Sequence, residues 1–147
     1  EALVRAHWRR YGRDFYTRHD YEGLDPVVAR CLVKQLRERL GRLPGQAIGN
    51  RRVRACDDFQ YTDPVDGSVA SGQGLRLLFE DGARIVFRLS GTGTEGATLR
   101  IYLEAFEPEP ARQGQDTQSA LAGLIGVAQE ISQLRQRTGR AAPSVIT

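Results

Sequence analysis

Between Leu75 and Leu89 the chain reads LRLLFEDGARIVFRL, two alternating apolar and polar runs that meet at Asp81-Gly82. No other stretch limits the fold as much. Leu75, Leu77 and Phe79 fall on one side of the first run, and Ile85, Phe87 and Leu89 on one side of the second, the period of strands with one buried face. Asp-Gly between such runs predicts a tight antiparallel hairpin, because both turn positions favour positive φ. After a polar loop, Leu99, Ile101, Leu103 and Ala105 alternate again and extend the hairpin to a meander. Residues 51–57 alternate around Val53 and Ala55 and add a short strand, so the sheet has about four. The segment YTDPVDGSVASGQG between them reads as a polar loop of roughly a dozen residues, long enough to have a purpose.

Two helical patterns flank the strands. In LDPVVARCLVKQLRERLG, Asp25 is an N-cap, Pro26 suits the first helical position, and Val28, Leu32, Leu36 and Leu40 make one apolar stripe with Cys31 and Leu43 nearby. Gly41 is its stop. From Asp116 or Thr117, Leu121, Leu124, Ile125, Ala128, Ile131 and Leu134 mark a second helix closing near Gly139. The order helix, strands, helix predicts an α+β fold, a single antiparallel sheet of about four strands covered on one face by two helices. At the start, Leu3, Val4, Trp8 and Tyr11 have helical spacing up to Gly12, and so short a helix needs a partner surface for its large side chains. PEPARQGQ reads as a linker and RAAPSVIT as an aperiodic tail.

A length of 147 residues suits one compact domain plus a tail. No run approaches the roughly 20 apolar residues of a membrane span, and no signal-peptide pattern opens the chain. It begins EALVRAHW and holds no methionine, so it reads as a piece of a longer product. Cys31 and Cys56 have neither metal-ligand nor disulfide spacing and are expected to be buried, reduced thiols of a cytoplasmic protein. Residues 1–54 hold 13 of the 21 basic and 6 of the 18 acidic side chains, a balance of +7 against −4 in the remainder. A basic half raises nucleic acid as a partner. The positives, however, alternate with apolar residues and no aromatic platform accompanies them, which favours a solvated surface or one facing another domain.

The most unusual segment is SGTGTEG, residues 90–96, with Arg88 before it and Arg100 after it. Glycines 91, 93 and 96 let backbone N–H groups turn inward around an anion. Ser90, Thr92 and Thr94 offer hydroxyl donors, and the planar forks of the two arginines suit phosphate oxygens. The stretch lacks the lysine of a Walker A loop and leads into a strand. Composition alone leaves open a flexible hairpin loop whose arginines face water.

The stretch RLSGTGTEGATLRIYLE resembles the phosphate-binding loop of phosphoglucomutases, in the α-D-phosphohexomutase superfamily. The likeness continues through HWRRYGRDFYTRHDYE, YTDPVDGSVASGQGLRLLFEDGARIVFRLSG and the C-terminal helix, nearly the whole chain. It implies a four-domain parent whose fourth domain, TATA-box-binding-protein-like and α+β, grips the substrate's phosphate. Residues 23–140 would be that domain, residues 1–22 the tail of the preceding domain with its connector, and residues 141–147 a loose tail. Carried over residue by residue, Arg88, Ser90, Gly91, Thr92, Gly93, Thr94 and Arg100 match the phosphate-contacting segment, and Glu95 receives no role. Phosphomannomutase-type and phosphoglucosamine-mutase-type loops tend to read GTEP where this one reads GTGTEG. With the YGRDFYTRHDYE connector, this favours glucose phosphate over mannose phosphate.

The resemblance implies an isomerase that interconverts glucose 1-phosphate and glucose 6-phosphate. The parent would use a phosphoserine in a TASHNP-like loop, Mg2+ in a DGDxDR-like loop, a GEES-like sugar-reading loop and glucose 1,6-bisphosphate. None of those three motifs occurs in this sequence. The piece is therefore expected to be inactive alone, with no catalytic or metal residue and no bound cofactor. Its expected partners are the sugar phosphate and the parent's other three domains, neither nucleic acid nor membrane, in the cytoplasm. Asp63 and Asp66 in DPVDG read as turn-formers, and His7 and His19 as surface or packing residues. A stand-alone sugar-phosphate or anion-binding module and a related phosphohexomutase such as a phosphomannomutase are the alternatives.

Overall fold

The computed structural model describes residues 1–62, 69–93 and 96–147, and the side chains of residues 1–58, 74–90 and 96–147. The three alternating runs form β4 (Val69–Phe79), β5 (Arg84–Gly93) and β6 (Gly96–Glu107), which pair as an antiparallel meander. Leu75, Leu77, Phe79, Ile85, Phe87, Leu99, Ile101 and Leu103 are all buried on one face, as their period requires. The turn between β4 and β5 differs from the expectation. Only Gly82 has positive φ, at 90°. The Gly82 N–H donates to the Phe79 carbonyl at 3.1 Å, the Phe79 N–H to Ala83 at 2.9 Å, and the Asp81 carboxylate accepts from the Ala83 N–H at 3.0 Å. This is a three-residue loop with glycine in its last place, and Asp81 serves as a side-chain acceptor.

The sheet has seven strands, not about four. To the meander are added β1 (Arg13–Leu24), β2 (Ala47–Ile48), β3 (Arg51–Thr62) and β7 (Val145–Ile146), in the order β2-β3-β4-β5-β6-β1-β7 with antiparallel pairing throughout. Residues 13–22, expected to be a connector, lie within β1, between β6 and β7. Phe15, Thr17, His19 and Tyr21 alternate and are buried, a period-two pattern hidden among charged neighbours. The expected loose tail is also tied down: Thr147 exchanges backbone hydrogen bonds with Arg18 at 3.0 and 3.1 Å. The polar segment of a dozen residues shortens as well, because Tyr61 pairs with Ala70 and Thr62 with Val69.

Helices cover one face, as expected. The Asp25 carboxylate caps α2 (Pro26–Leu40) by accepting from Val27 and Val28 N–H at 2.8 and 3.2 Å. Ala29, Leu32, Val33, Leu36 and Leu40 bury its stripe. Cys31 stands one position, about 100°, off that stripe and is exposed, contrary to expectation. Cys56 is half-buried, and desolvation, then the neighbouring Asp57 charge, pushes its thiol up to about 11. The second helical pattern is broken into α3 (Thr117–Ala120), α4 (Ala122–Ser132) and α5 (Leu134–Thr138). Gln133 takes φ 52° at the second break. A continuous helix would carry Arg135 onto the apolar stripe of Leu124, Ala128 and Ile131; the break instead buries Leu134. The first helix, α1 (Ala2–Tyr11), buries none of its residues, and Leu3 is 87% exposed.

Candidate functional site

The face of the sheet opposite the helices holds the charged chemistry. Leu89, Leu99, Ile101 and Tyr21 point into the core, so the residues between them project the other way. Register sets Arg88 directly opposite Arg100, and Arg100 directly opposite Asp20, making one row across β5, β6 and β1. Like charges directly opposite one another destabilise a strand pair by about 0.2–1 kcal/mol. Asp20 moderates this one. Its carboxylate accepts from Arg18 Nε and Nη2 at 2.9 and 3.0 Å, and its Oδ2 lies 3.7 Å from Arg100 Nε. Asp20 is only 4% exposed.

Arg100 is held but not saturated. Its Nη1 donates to Ser90 Oγ at 3.4 Å, a long contact. Its Nε is buried without a hydrogen-bond acceptor, the one such side-chain atom among the described residues. Its nearest acceptor is Asp20 Oδ2, at an ion-pair distance of 3.7 Å and beyond hydrogen-bond range, so the guanidinium is held electrostatically on this side. Arg88 stands beside a groove of about 410 Å³ on the same face, lined also by Tyr16, Val86 and Tyr102 and by the paired Arg84 and Glu104.

The strands run further into SGTGTEG than expected. Ser90 pairs with Thr98 and Gly93 with Gly96, so the residue between the pairs on β6, Ala97, faces two on β5, Gly91 and Thr92. A bulge of this kind re-aims local backbone and side chains at a sheet rim. Gly96 has φ 93°, and a Cβ there would stand 3.0 Å from the Leu24 carbonyl oxygen and 3.2 Å from Gly23 Cα. Glycine is required at this point by conformation and by the close crossing of β1. The structure thus brings Arg88, Ser90 and Arg100 together beside a bulge at Gly91 and Thr92, with Gly93 at the strand end. Thr94 and Glu95 lie outside the described residues, as do Asp63 and Asp66.

Asp20 of the row, and Arg18 which pairs with it, were not anticipated from sequence. The signal was present in RDFYTRHDYE, where Phe15, Thr17, His19 and Tyr21 alternate on the buried side while Asp14, Arg18, Asp20 and Glu22 take the other parity. His19 faces the helices, not the row. Its Nε2 meets Gln118 Oε1 at 2.8 Å, and Gln118 Nε2 donates to Thr17 Oγ1 at 2.7 Å. Thr17 donates in turn to the Thr147 carbonyl at 2.7 Å. This is a satisfied buried network. Basic residues of the first half meet acids of the second, Arg37 with Asp58 and Arg51 with Asp81. Among the described residues no three His, Cys, Asp or Glu side chains gather closely enough to hold a metal ion, and no helix is long and apolar enough to cross a membrane.

The family described as phosphoglucomutase-1, C-terminal domain, matches residues 13–144. The chain is 57% identical over 145 residues to a phosphoglucomutase of Rhizobium radiobacter, covering 99% of this chain and 27% of that protein. It is 47% identical over 153 residues to phosphoglucomutase-1 of Homo sapiens, covering all of this chain and 27% of the relative. A cytoplasmic phosphoglucomutase of Populus tremula is 49% identical, with 26% of its length covered. Among solved structures, the open form of the exocytosis-sensitive phosphoprotein pp63/parafusin of Paramecium, titled a phosphoglucomutase, superposes with a TM-score of 0.79 at 42% identity, over 99% of this chain and 24% of that one. The chain spans about a quarter of the length of the relatives it matches.

Proposed function

The chain belongs to the phosphoglucomutase family, matching its C-terminal domain, and from that premise we propose that it clamps the phosphate of glucose 1-phosphate or glucose 6-phosphate that is not being transferred. The observation that supports this most is the charge row beside the glycine-lined strand ends. Arg18, Arg88 and Arg100 gather with Asp20 on one face of the sheet, and their planar guanidinium forks suit the oxygens of a phosphate ester. The Arg100 Nη groups, Ser90 Oγ and the backbone from Ser90 to Gly93 would supply the hydrogen bonds. In this reading Gly91, Thr92, Gly93 and Thr94, matched to the family's phosphate-contacting segment by sequence, would act with Arg88 and Arg100.

In the parent enzyme a phosphoserine would give its phosphoryl group to one sugar hydroxyl, forming glucose 1,6-bisphosphate. That intermediate would turn over and return its other phosphate to the serine. A clamp that accepts the idle phosphate in either orientation contributes through remote binding energy and orientation. Mg2+ would assist the transfer in the parent, and among the described residues no acidic set fits it. The parent's remaining domains and the sugar phosphate are the partners of this reading, in a cytoplasmic enzyme such as the poplar relative is named to be. The exposed Leu3 and Val4 of α1 fit a surface that another of those domains covers.

The test is titration of glucose 6-phosphate, sulfate and glucose into isotopically labelled chain while following amide shifts. Shifts should cluster from Ser90 to Thr94 with both anions and be absent with glucose. The dissociation constant should be on the order of millimolar, about −4 kcal/mol, because one domain supplies the whole grip. Arg88→Ala should weaken it more than Arg88→Lys, which keeps the charge and loses the fork. Equal shifts with glucose and glucose 6-phosphate would mean that the loop reads sugar and that the phosphate reading is wrong.

A further inference from the structure

We infer that Asp20 is a positioning residue: together with Arg18 it holds the Arg100 guanidinium on the open face of the sheet in the orientation that receives the phosphate. The inference rests on the phosphate role proposed for Arg100. A carboxylate beside an anion site should oppose anion binding, so its presence needs a reason. Asp20 is nearly inaccessible, and a buried carboxylate is costly unless paired and hydrogen-bonded. Its pairing is unequal. Arg18 takes both oxygens at 2.9 and 3.0 Å, while Arg100 stands at 3.7 Å with its Nε unbonded. The ion pair fixes where the Arg100 charge lies without using up the Arg100 donors. A carboxylate that gripped Arg100 by two short bonds would instead compete with the phosphate. Arg18, by occupying Asp20, prevents that grip.

The backbone of Asp20 is secured independently. Its carbonyl accepts from the Ser144 N–H at 2.7 Å, it pairs with Val145, and its neighbour Arg18 is bonded in both directions to Thr147. The terminal strand β7 therefore clamps the two residues whose side chains tether Arg100. From the strap through Arg18 and Asp20 to Arg100 and Arg88, a single line of contacts crosses β7, β1, β6 and β5.

Two explanations of Asp20 predict opposite signs, which makes the test sharp. If Asp20 only adjusts charge, Asp20→Asn raises the local positive potential and tightens glucose 6-phosphate binding. If it positions Arg100, the same variant weakens binding, because the ligand must then order a long side chain, roughly a two- to tenfold loss. The 147-residue chain is used with Asp20→Asn, Asp20→Glu and Arg18→Lys. Glucose 6-phosphate affinity is read by amide shifts, and hydrogen exchange of the Arg100 Nε–H is read by NMR without ligand. We expect about fivefold weaker binding and at least about tenfold faster Nε–H exchange in Asp20→Asn, with Asp20→Glu recovering part of both. Arg18→Lys should weaken binding while slowing that exchange, since Asp20 is released onto Arg100. Should Asp20→Asn fail to fold, these last two variants decide by the same two readouts. Unchanged or tighter binding, or weaker binding with unaltered exchange, overturns the inference alone. No binding by the unaltered chain overturns the phosphate role of Arg100 and this inference with it.

Discussion

Gly96→Ala is the substitution from which the geometry of the strand ends can be read most directly. The residue sits at φ 93°, where an L side chain is strained, and conformations of that kind cost about 1–3 kcal/mol each. It also sits under β1. An added Cβ would be 3.0 Å from the Leu24 carbonyl oxygen and 3.2 Å from Gly23 Cα, both backbone atoms that cannot swing aside. Relief requires the end of β1 to lift from β6, and overpacking of that kind costs about 1–3 kcal/mol more. Gly82 supplies the control, with φ 90° and nothing within 4 Å of a built Cβ. Gly82→Ala should lose about 1–2 kcal/mol and Gly96→Ala about 3–4 kcal/mol, the difference being the crowding. At roughly 2–4 °C per kcal/mol for a chain of this size, melting temperatures should fall by about 2–8 and about 6–16 °C.

Urea unfolding of the two variants and the unaltered chain, monitored by circular dichroism, measures both losses, and equal m-values would show that the same folded surface is being compared. Losses that agree within about 0.5 kcal/mol would refute the crowding argument, because the two sites share φ and differ only in what the Cβ meets.

Gln118→Leu should destabilise the chain by about 1–3 kcal/mol in urea, since it strips partners from buried His19 Nε2 and leaves Thr17 Oγ1 without its donor. At pH 8 a thiol reagent should modify Cys31 quickly and Cys56 slowly: with the Cys56 thiol pushed up to about 11, only about one molecule in a thousand is thiolate, and its rate should climb as pH rises toward that value. Two fast thiols at pH 8, counted by mass, would contradict this. Deleting residues 1–11 should change the melting temperature by no more than a few degrees, because α1 buries none of its side chains, whereas deletion through residue 22 removes β1 and should abolish the cooperative transition.

What sequence revealed and concealed follows from the period of each segment. The meander was legible because Leu75 to Ala105 alternate cleanly, and α2 because Asp25, Pro26 and a four-residue repeat agree. β1 was concealed because its buried set is Phe15, Thr17, His19 and Tyr21, two of them polar, and they satisfy themselves through Gln118 and Thr147 instead of through apolar contact. The break at Gln133 was invisible because no glycine or proline marks it; the reason to break lies in keeping Arg135 off the apolar stripe. β7 has two residues and is defined by partners more than 120 positions away, which no local pattern encodes. In the candidate site, Arg88, Ser90 and Arg100 were legible only as an arginine-flanked polar loop. Arg18 and Asp20 were not, since their relation to Arg100 exists only once β1 is paired with β6.

The core and the charge row are specified by one register. Pairing His19 with Ile101 places both on the helix side and thereby places Asp20 opposite Arg100 on the other. A slip of one residue between β1 and β6 would turn Arg18 and Asp20 into the apolar layer and expose Phe15 and Tyr21, so no alternative pairing preserves one face at the expense of the other. Two devices hold that register from its ends. Toward the end of β1 the pairing shifts between Tyr21 and Leu24, and Leu24 comes down over Ala97 and Gly96; along its outer edge β7 pairs with His19 and Asp20. The arginines of the row are consequently aligned by burial of aromatic and aliphatic side chains they never touch. Each crosses the sheet from a core position one residue away, and the free energy that aligns them is the hydrophobic free energy of the opposite face. Under the proposed phosphate role, a ligand that needs two guanidinium groups at a set spacing would find them already spaced by strand register, so a small sheet would offer a preorganised site from three separate strands.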